Sequence, residues 1–146
     1  MRILAVFLTI VTMVTGVSAQ KLQTKTYGTS GNPTEAVVTP DGQYVLVTVD
    51  RGRSGGIDVF HVEGETLKKV AFQSLGNQPA QGIVLIPHMN IVAVGVTNAG
   101  VAFLPLQDVI TGKAKPGAVP QGEGSGSGYL AVTPDGRYLF VANEYG

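Results

Sequence analysis

The chain has 146 residues, and its ten basic and ten acidic residues give a formal net charge of zero. This balance excludes the strong positive field that recruits nucleic acid or an anionic membrane surface. The lack of Cys excludes disulfides, Cys-ligated zinc and a thiol nucleophile. With 20 Gly and 44% hydrophobic residues, the composition is typical of a β-rich globular protein rather than a disordered chain.

Residues 1–19 have the three-part layout of a secretory signal peptide. A short basic start at Met1-Arg2 precedes an apolar run over 3–14, and Val17-Ser18-Ala19 supplies the small residues of a cleavage site. A membrane anchor and a buried strand are the alternatives, but the run is short for a span of about 20 residues. We therefore expect cleavage after Ala19, a periplasmic or secreted protein, and no stable membrane span after cleavage.

A 47-residue repeat organises the rest of the chain. The tetrad Thr39-Pro40-Asp41-Gly42 returns 94 residues later as Thr133-Pro134-Asp135-Gly136, in each case preceded by Val. Half that offset falls on a degenerate copy, in which His88-Met89-Asn90 replaces the Asp-Gly turn. We expect a single repeat domain over 20–146, with units at 32–78 and 79–125 and an incomplete unit at 126–146.

Short runs of β-branched and aromatic residues, bounded by Gly, Pro, Asp or Asn, predict the strands. They are 36–39, 44–49, 57–62 and 67–72 in the first unit, 83–86, 91–96, 101–106 and a weak fourth near Val109–Ile110 in the second, and 129–133 and 138–143 in the third. No segment has helical apolar spacing. Four short strands in each 40–50 residues predict an all-β fold, a β-propeller of four-stranded antiparallel blades.

The sequence predicts neither a metal site nor a cofactor. Each Pro-Asp-Gly turn is interpreted as structural, because one carboxylate per blade offers no converging ligands for a metal. The two histidines, His61 and His88, lie in dissimilar positions without a third ligand nearby in the sequence.

The runs TPDGQYVLVTVDRG (39–52) and TPDGRYLFVANEYG (133–146) resemble the YVTN-repeat β-propellers. The tetrad that names those repeats stands here as Phe140-Val141-Ala142-Asn143, and Gly31-Asn32-Pro33 and Gly76-Asn77-Gln78-Pro79 resemble their lead-in. The same superfamily includes propellers similar to 6-phosphogluconolactonase, so the resemblance implies a lactonase-like fold. It also implies that ligands enter at the face formed by the loops between second and third strands and between blades.

The catalytic residues of such lactonases cannot be carried over to this chain. Their Arg-His lead-in is replaced by Asn-Pro-Thr-Glu at 32–35, Gln-Pro-Ala-Gln at 78–81 and Gly-Ser-Gly-Tyr at 126–129. The leading hypothesis is a binding or scaffold module outside the cytoplasm, with a glycan, a small molecule or a protein as ligand. The alternatives are a lactonase-type hydrolase of a sugar or related lactone and, third, redox or metal-dependent catalysis.

Polar residues on the expected ligand face are the candidate binding residues: Glu35, Asp50, Arg51, Arg53, Gln81, Asn98 and Glu144. The loop at 51–56 is the most suggestive, because two guanidiniums flanked by glycines can grip a carboxylate or a phosphate. The alternative interpretation is a solvated hairpin loop whose glycines only permit the turn.

The length of the chain bears on the number of blades. Removing residues 1–19 leaves 127 residues, about 2.7 repeat units, whereas a propeller closes with about four to eight blades. The last unit also ends after its second strand. We therefore expect the chain to be the N-terminal part of a propeller of about seven blades.

Overall fold

The computed structural model describes residues 24–119 and 126–143, so the predicted signal peptide at 1–19 lies outside the described residues. Three separate antiparallel sheets follow one another along the chain. The first sheet contains β1 (Asn32–Val38), β2 (Tyr44–Asp50), β3 (Gly55–Glu63) and β4 (Thr66–Ser74). The second sheet contains β5 (Ala80–Ile86), β6 (Ile91–Val96), β7 (Gly100–Pro105) and β8 (Ala118–Val119). The third sheet contains β9 (Ser127–Val132) and β10 (Leu139–Asn143). In the two larger sheets each strand pairs with the next one along the chain, which confirms the all-β prediction.

The predicted fourth strand near Val109–Ile110 is wrong. Those residues belong to a short helix, α1 (Leu106–Ile110), and the fourth strand is β8, which pairs with β7. Leu106 and Val109 are both buried. Residues three apart lie on the same side of a helical turn, so the helix directs both side chains into the core next to the second sheet.

The Pro-Asp-Gly turns connect the first two strands of the first and third sheets. The Asp41 carboxylate accepts hydrogen bonds from the Thr39 hydroxyl at 2.6 Å and from the Gln43 N–H at 3.0 Å. These two donors hold the pKa of Asp41 below its ordinary value. Gly42 has a φ of 70°, which favours glycine. The second sheet lacks this turn, and His88 and Asn90 take the left-handed conformation instead.

The second sheet is packed on both faces. Val92 and Val94 lie in the core shared with the first sheet, whereas Ala93 lies in the core shared with Leu130 of the third. Successive side chains of a strand point to opposite faces, so a strand buried on both faces is apolar at every position. This explains why β6 reads as continuously apolar.

The sheets approach one another most closely along their first strands. Strand β5 contacts β1 and β2 of the first sheet and β9 of the third. A Cβ atom added at Gly82 of β5 would lie 2.7 Å from the Gly128 carbonyl oxygen of β9, so only glycine fits there. Within 24–119 and 126–143, no helix is long and apolar enough to cross a membrane.

Candidate functional site

Three connections meet at one end of the sheets. They are the β2–β3 loop, the β4–β5 connection and the β6–β7 turn, which share this end because successive strands run antiparallel. Gly55, at the start of β3, lies against the backbone of 78–80. The Pro79 carbonyl in turn accepts the Thr97 N–H at 3.0 Å. The candidate residues in the β2–β3 loop and Asn98 in the β6–β7 turn therefore lie at the same end of the sheets.

The β2–β3 loop is closed by its own hydrogen bonds. The Asp50 carboxylate accepts the Gly52 N–H at 2.5 Å, and the Arg51 N–H donates to the Ser54 carbonyl at 2.9 Å. Gly52 has a φ of 82°, a conformation that other residues rarely take. Asp50 thus shapes the loop with its carboxylate.

The two guanidiniums of this loop have different surroundings. The Arg51 guanidinium lies 4.2 Å from the centroid of the Phe72 ring, and its Nε donates to the Ser30 carbonyl at 3.0 Å. Arg53 is exposed, and its N–H donates to the Arg51 carbonyl at 3.1 Å. One guanidinium is held in place by a ring and a carbonyl, and the second extends from the same loop.

Glu35 and Gln81 lie where the first and second sheets meet. The Glu35 carboxylate, on β1, accepts the Ile83 N–H of β5 at 2.8 Å. The Gln81 carbonyl accepts hydrogen bonds from the Thr34 hydroxyl at 2.9 Å and the Thr48 hydroxyl at 2.6 Å. These hydrogen bonds join the two sheets. The Glu35 carboxylate and the Gln81 backbone carbonyl therefore both stabilise the contact between the sheets.

Asn98 and Glu144 are the two remaining candidates. Asn98 is exposed in the β6–β7 turn, where it takes a φ of 59°. Asparagine tolerates this left-handed conformation better than most residues, which explains its presence in the turn. Glu144 lies outside the described residues.

A buried charge cluster on the outer face of the first sheet was not predicted. Asp58 of β3 is fully buried, and its carboxylate accepts hydrogen bonds from the Ser30 N–H at 2.5 Å and the Ser30 hydroxyl at 2.7 Å. Lys69 of β4 lies 2.6 Å from the same carboxylate and also donates to the Ser30 hydroxyl. One feature of the sequence could have indicated this cluster, because Asp58 is an acidic residue within the apolar run of β3.

At the opposite end of the sheets, a cavity of about 350 Å³ lies between the first and second sheets. Its lining is mainly apolar, from Val38 and Pro40 of the first sheet and residues 85–87 of the second, with His88 and Asn90 as polar neighbours. Among the residues that the structure describes, no three His, Asp or Glu side chains converge as metal ligands.

Comparison with models of protein families, with curated proteins and with solved structures found no match for this chain. The surface formed by the loops is cationic at Arg51 and Arg53, and Asp50 is engaged with the backbone of its own loop. This arrangement is suited to binding an anionic group.

Proposed function

We propose that the chain is a YVTN-type β-propeller module, lactonase-like in fold, which acts outside the cytoplasm as a binding or scaffold protein. The resemblance at 39–52 and 133–146 supports the fold. The four-stranded antiparallel sheets, which recur with the 47-residue repeat, are consistent with blades. The leader pattern at 1–19 supports the location.

The ligand proposed for this module is an anionic one, bound at the β2–β3 loop. The observation that carries this proposal is the presence of Arg51 and Arg53, both exposed, in a loop that is closed by its own hydrogen bonds. A guanidinium donates paired hydrogen bonds that match the geometry of a carboxylate or a phosphate.

The Phe72 ring and the Ser30 carbonyl contribute to the same site by holding the Arg51 side chain. A side chain that is ordered before binding loses less conformational entropy when the ligand arrives. We expect Arg51 to orient the anionic group and Arg53 to add attraction from the more open side of the loop. Acidic glycans and acidic protein segments are the ligand classes that fit.

The proposal is tested by calorimetric titration of the full chain with polygalacturonate, a carboxylated polysaccharide, and with neutral dextran as the comparison. We expect binding of polygalacturonate only, weakened by added salt because the contact is ionic. The double variant Arg51→Ala/Arg53→Ala should lose at least about tenfold in affinity. The double variant Lys113→Ala/Lys115→Ala changes the net charge equally at two exposed positions after α1 and should bind normally.

Two results would overturn the proposal. Equal binding by the arginine variant and the lysine variant would show that the β2–β3 loop is not part of the binding site. Turnover of a panel of sugar lactones by the full chain would replace the binding function with the alternative, a lactonase-type hydrolase.

A further inference from the structure

The cavity of about 350 Å³ between the first and second sheets has the size of a small-molecule site, for which about 300–1,000 Å³ is usual. Val38 and Pro40, at the end of β1 and in the β1–β2 turn, form one wall. Residues 85–88, around the end of β5, and Leu106, at the start of α1, belong to the other. Both walls come from four-stranded sheets and the helix next to them, so the cavity is formed without the third sheet.

The internal repeat shows how the corresponding place is closed between the second and third sheets. A Cβ atom added at Gly136, in the Pro-Asp-Gly turn of the third sheet, would lie 3.0 Å from the Pro87 carbonyl oxygen and 3.5 Å from the Ile86 side chain. The first of these distances is shorter than an ordinary van der Waals contact. The glycine therefore lets this turn pack directly against the second sheet.

The turn of the second sheet cannot pack in this way. Met89 stands 47 positions before Gly136, and its N–H donates to the Ile86 carbonyl at 3.3 Å, as the Gly136 N–H donates to the Thr133 carbonyl at 2.8 Å. The two residues thus hold the same place in the turn, but Met89 carries a side chain, which is 57% exposed. The cavity lies where the sequence has lost the Asp-Gly pair, beside this turn and the Pro40 turn of the first sheet.

The lining of the cavity defines the chemistry of a ligand. Most of the lining is apolar, and none of the lining residues in the described part of the chain is Lys, Arg, Asp or Glu. An ionised group would lose hydration there without a compensating charge, which is costly. His88 and Asn90 also line the cavity, and both are exposed residues whose side chains can donate and accept hydrogen bonds. The cavity therefore favours a neutral molecule with a hydrogen-bonding group.

We propose that this cavity is a second binding site, for a neutral small molecule with an apolar body and one hydroxyl or carbonyl group. The apolar body lies between Val38 and Leu85, and the polar group faces the side formed by His88 and Asn90. The site is at the end of the sheets opposite the β2–β3 loop, and it does not depend on the anionic ligand proposed for that loop.

The test is titration of the full chain with thymol, a neutral phenol with an apolar body, followed by NMR of the backbone amides. We expect saturable binding with the largest shifts at residues 85–91. Val38→Phe adds a ring at the cavity from an exposed position and should weaken binding at least about tenfold. The matched control is Val70→Phe, the same change at an exposed residue of β4 outside the cavity, which should bind like wild type.

A second variant tests the origin of the cavity. His88→Asp/Met89→Gly gives the second sheet the Asp-Gly turn of the other two sheets, so the turn should close on the first sheet and thymol binding should fall at least about tenfold. Circular dichroism checks that each variant is folded, and this double variant decides if Val38→Phe does not fold. Polygalacturonate should leave thymol binding unchanged, which separates this site from the loop.

Three results would overturn the proposal. The first is an absence of saturable thymol binding by the wild-type chain. The second is equal affinity in Val38→Phe and Val70→Phe, and the third is wild-type affinity in the variant with the Asp-Gly turn.

Discussion

The Asp58 carboxylate and the Lys69 ammonium form an ion pair across β3 and β4, with Oδ1 and Nζ 2.6 Å apart. Asp58 is fully buried, whereas the Lys69 side chain is 34% exposed. The Ser30 N–H and hydroxyl complete the hydrogen bonding of the carboxylate. The pair therefore compensates a buried charge and, through Ser30, holds the segment before β1 against the first sheet.

Replacing Lys69 by Met should destabilise the protein, because it leaves the buried Asp58 charge without its partner. Removing one partner of a buried pair costs about 3–5 kcal/mol, and the partial exposure of Lys69 reduces our expectation to about 2–3 kcal/mol. The free energy of unfolding, from urea denaturation, measures the loss.

The neighbouring Lys68 provides the control for this variant. Its side chain is 67% exposed and lies 3.9 Å from the Glu63 carboxylate, so Lys68→Met should change the free energy of unfolding by less than about 0.5 kcal/mol. Equal losses in the two variants would contradict the structural role of the Asp58–Lys69 pair.

Replacing Gly82 by Ala should weaken the contact between the second and third sheets. The added Cβ would meet the Gly128 carbonyl oxygen at 2.7 Å, and backbone cannot move away as a flexible side chain can. Overpacking of this kind costs about 1–3 kcal/mol, measured by thermal or chemical unfolding. Gly28→Ala is the matched control, because an added Cβ there has no neighbour within 4 Å. A Gly82 variant as stable as the Gly28 variant would contradict this packing.

Two substitutions of Glu35 test whether its carboxylate stabilises the contact between the first and second sheets. Glu35→Ala removes the acceptor of the Ile83 N–H and should cost about 1–3 kcal/mol of stability. Glu35→Gln keeps an acceptor oxygen at the same reach and should recover most of that loss. Urea denaturation of both variants measures the difference. If Glu35→Gln were as unstable as Glu35→Ala, the negative charge rather than the hydrogen bond would be what matters.

The Thr39 hydroxyl contributes most to the lowered pKa of the Asp41 carboxyl. Thr39→Val should therefore raise that pKa toward the ordinary value of about 3.9, as followed by NMR titration of the carboxyl carbon. A lowered pKa stabilises the folded state above the unfolded value, and this stability is lost as the pH falls through the folded value. Wild-type protein should accordingly lose more stability than Thr39→Val when acidified below about pH 4.

The third sheet contains the control for this titration. The Thr133 hydroxyl lowers the pKa of Asp135 in the same way. Thr133→Val should raise the pKa of Asp135 and leave that of Asp41 unchanged. A shift of both carboxyls in either variant would indicate a general change of structure rather than the loss of one hydrogen bond.

The strands and turns could be predicted because their signals are local. Alternation of side chains, Pro-Asp-Gly turns and the 47-residue repeat each depend on residues a few positions apart or on self-similarity. The prediction failed near Val109–Ile110, where two apolar residues are compatible with a strand or a helical turn. The helix places Leu106 and Val109 on the same side, where both are buried, and that burial depends on the neighbouring sheets.

The contacts within the candidate site were less predictable than the strands, because they join residues that are far apart in the chain. The loop position of Arg51 and Arg53 follows from strand order, which the sequence indicates. The partners of Arg51 do not follow, because Phe72 is 21 positions later and reaches the guanidinium only when the first sheet is assembled. Likewise, the Glu35 carboxylate is bonded to a backbone N–H that is 48 positions away.

By itself, the sequence determined the repeat, the strand order and the turns, since these depend on local conformational preference and on period. The tertiary structure alone decided which charges meet. A β-bulge between Val59 and Phe60 shifts the pairing of β4 by one residue, and such a shift reverses the face on which a side chain lies. Lys69 thereby lies on the face of Asp58. Without the bulge, alternation along β4 would have placed Lys69 on the other face. The order of residues in one strand does not reveal such a shift, because cross-strand register is set by packing.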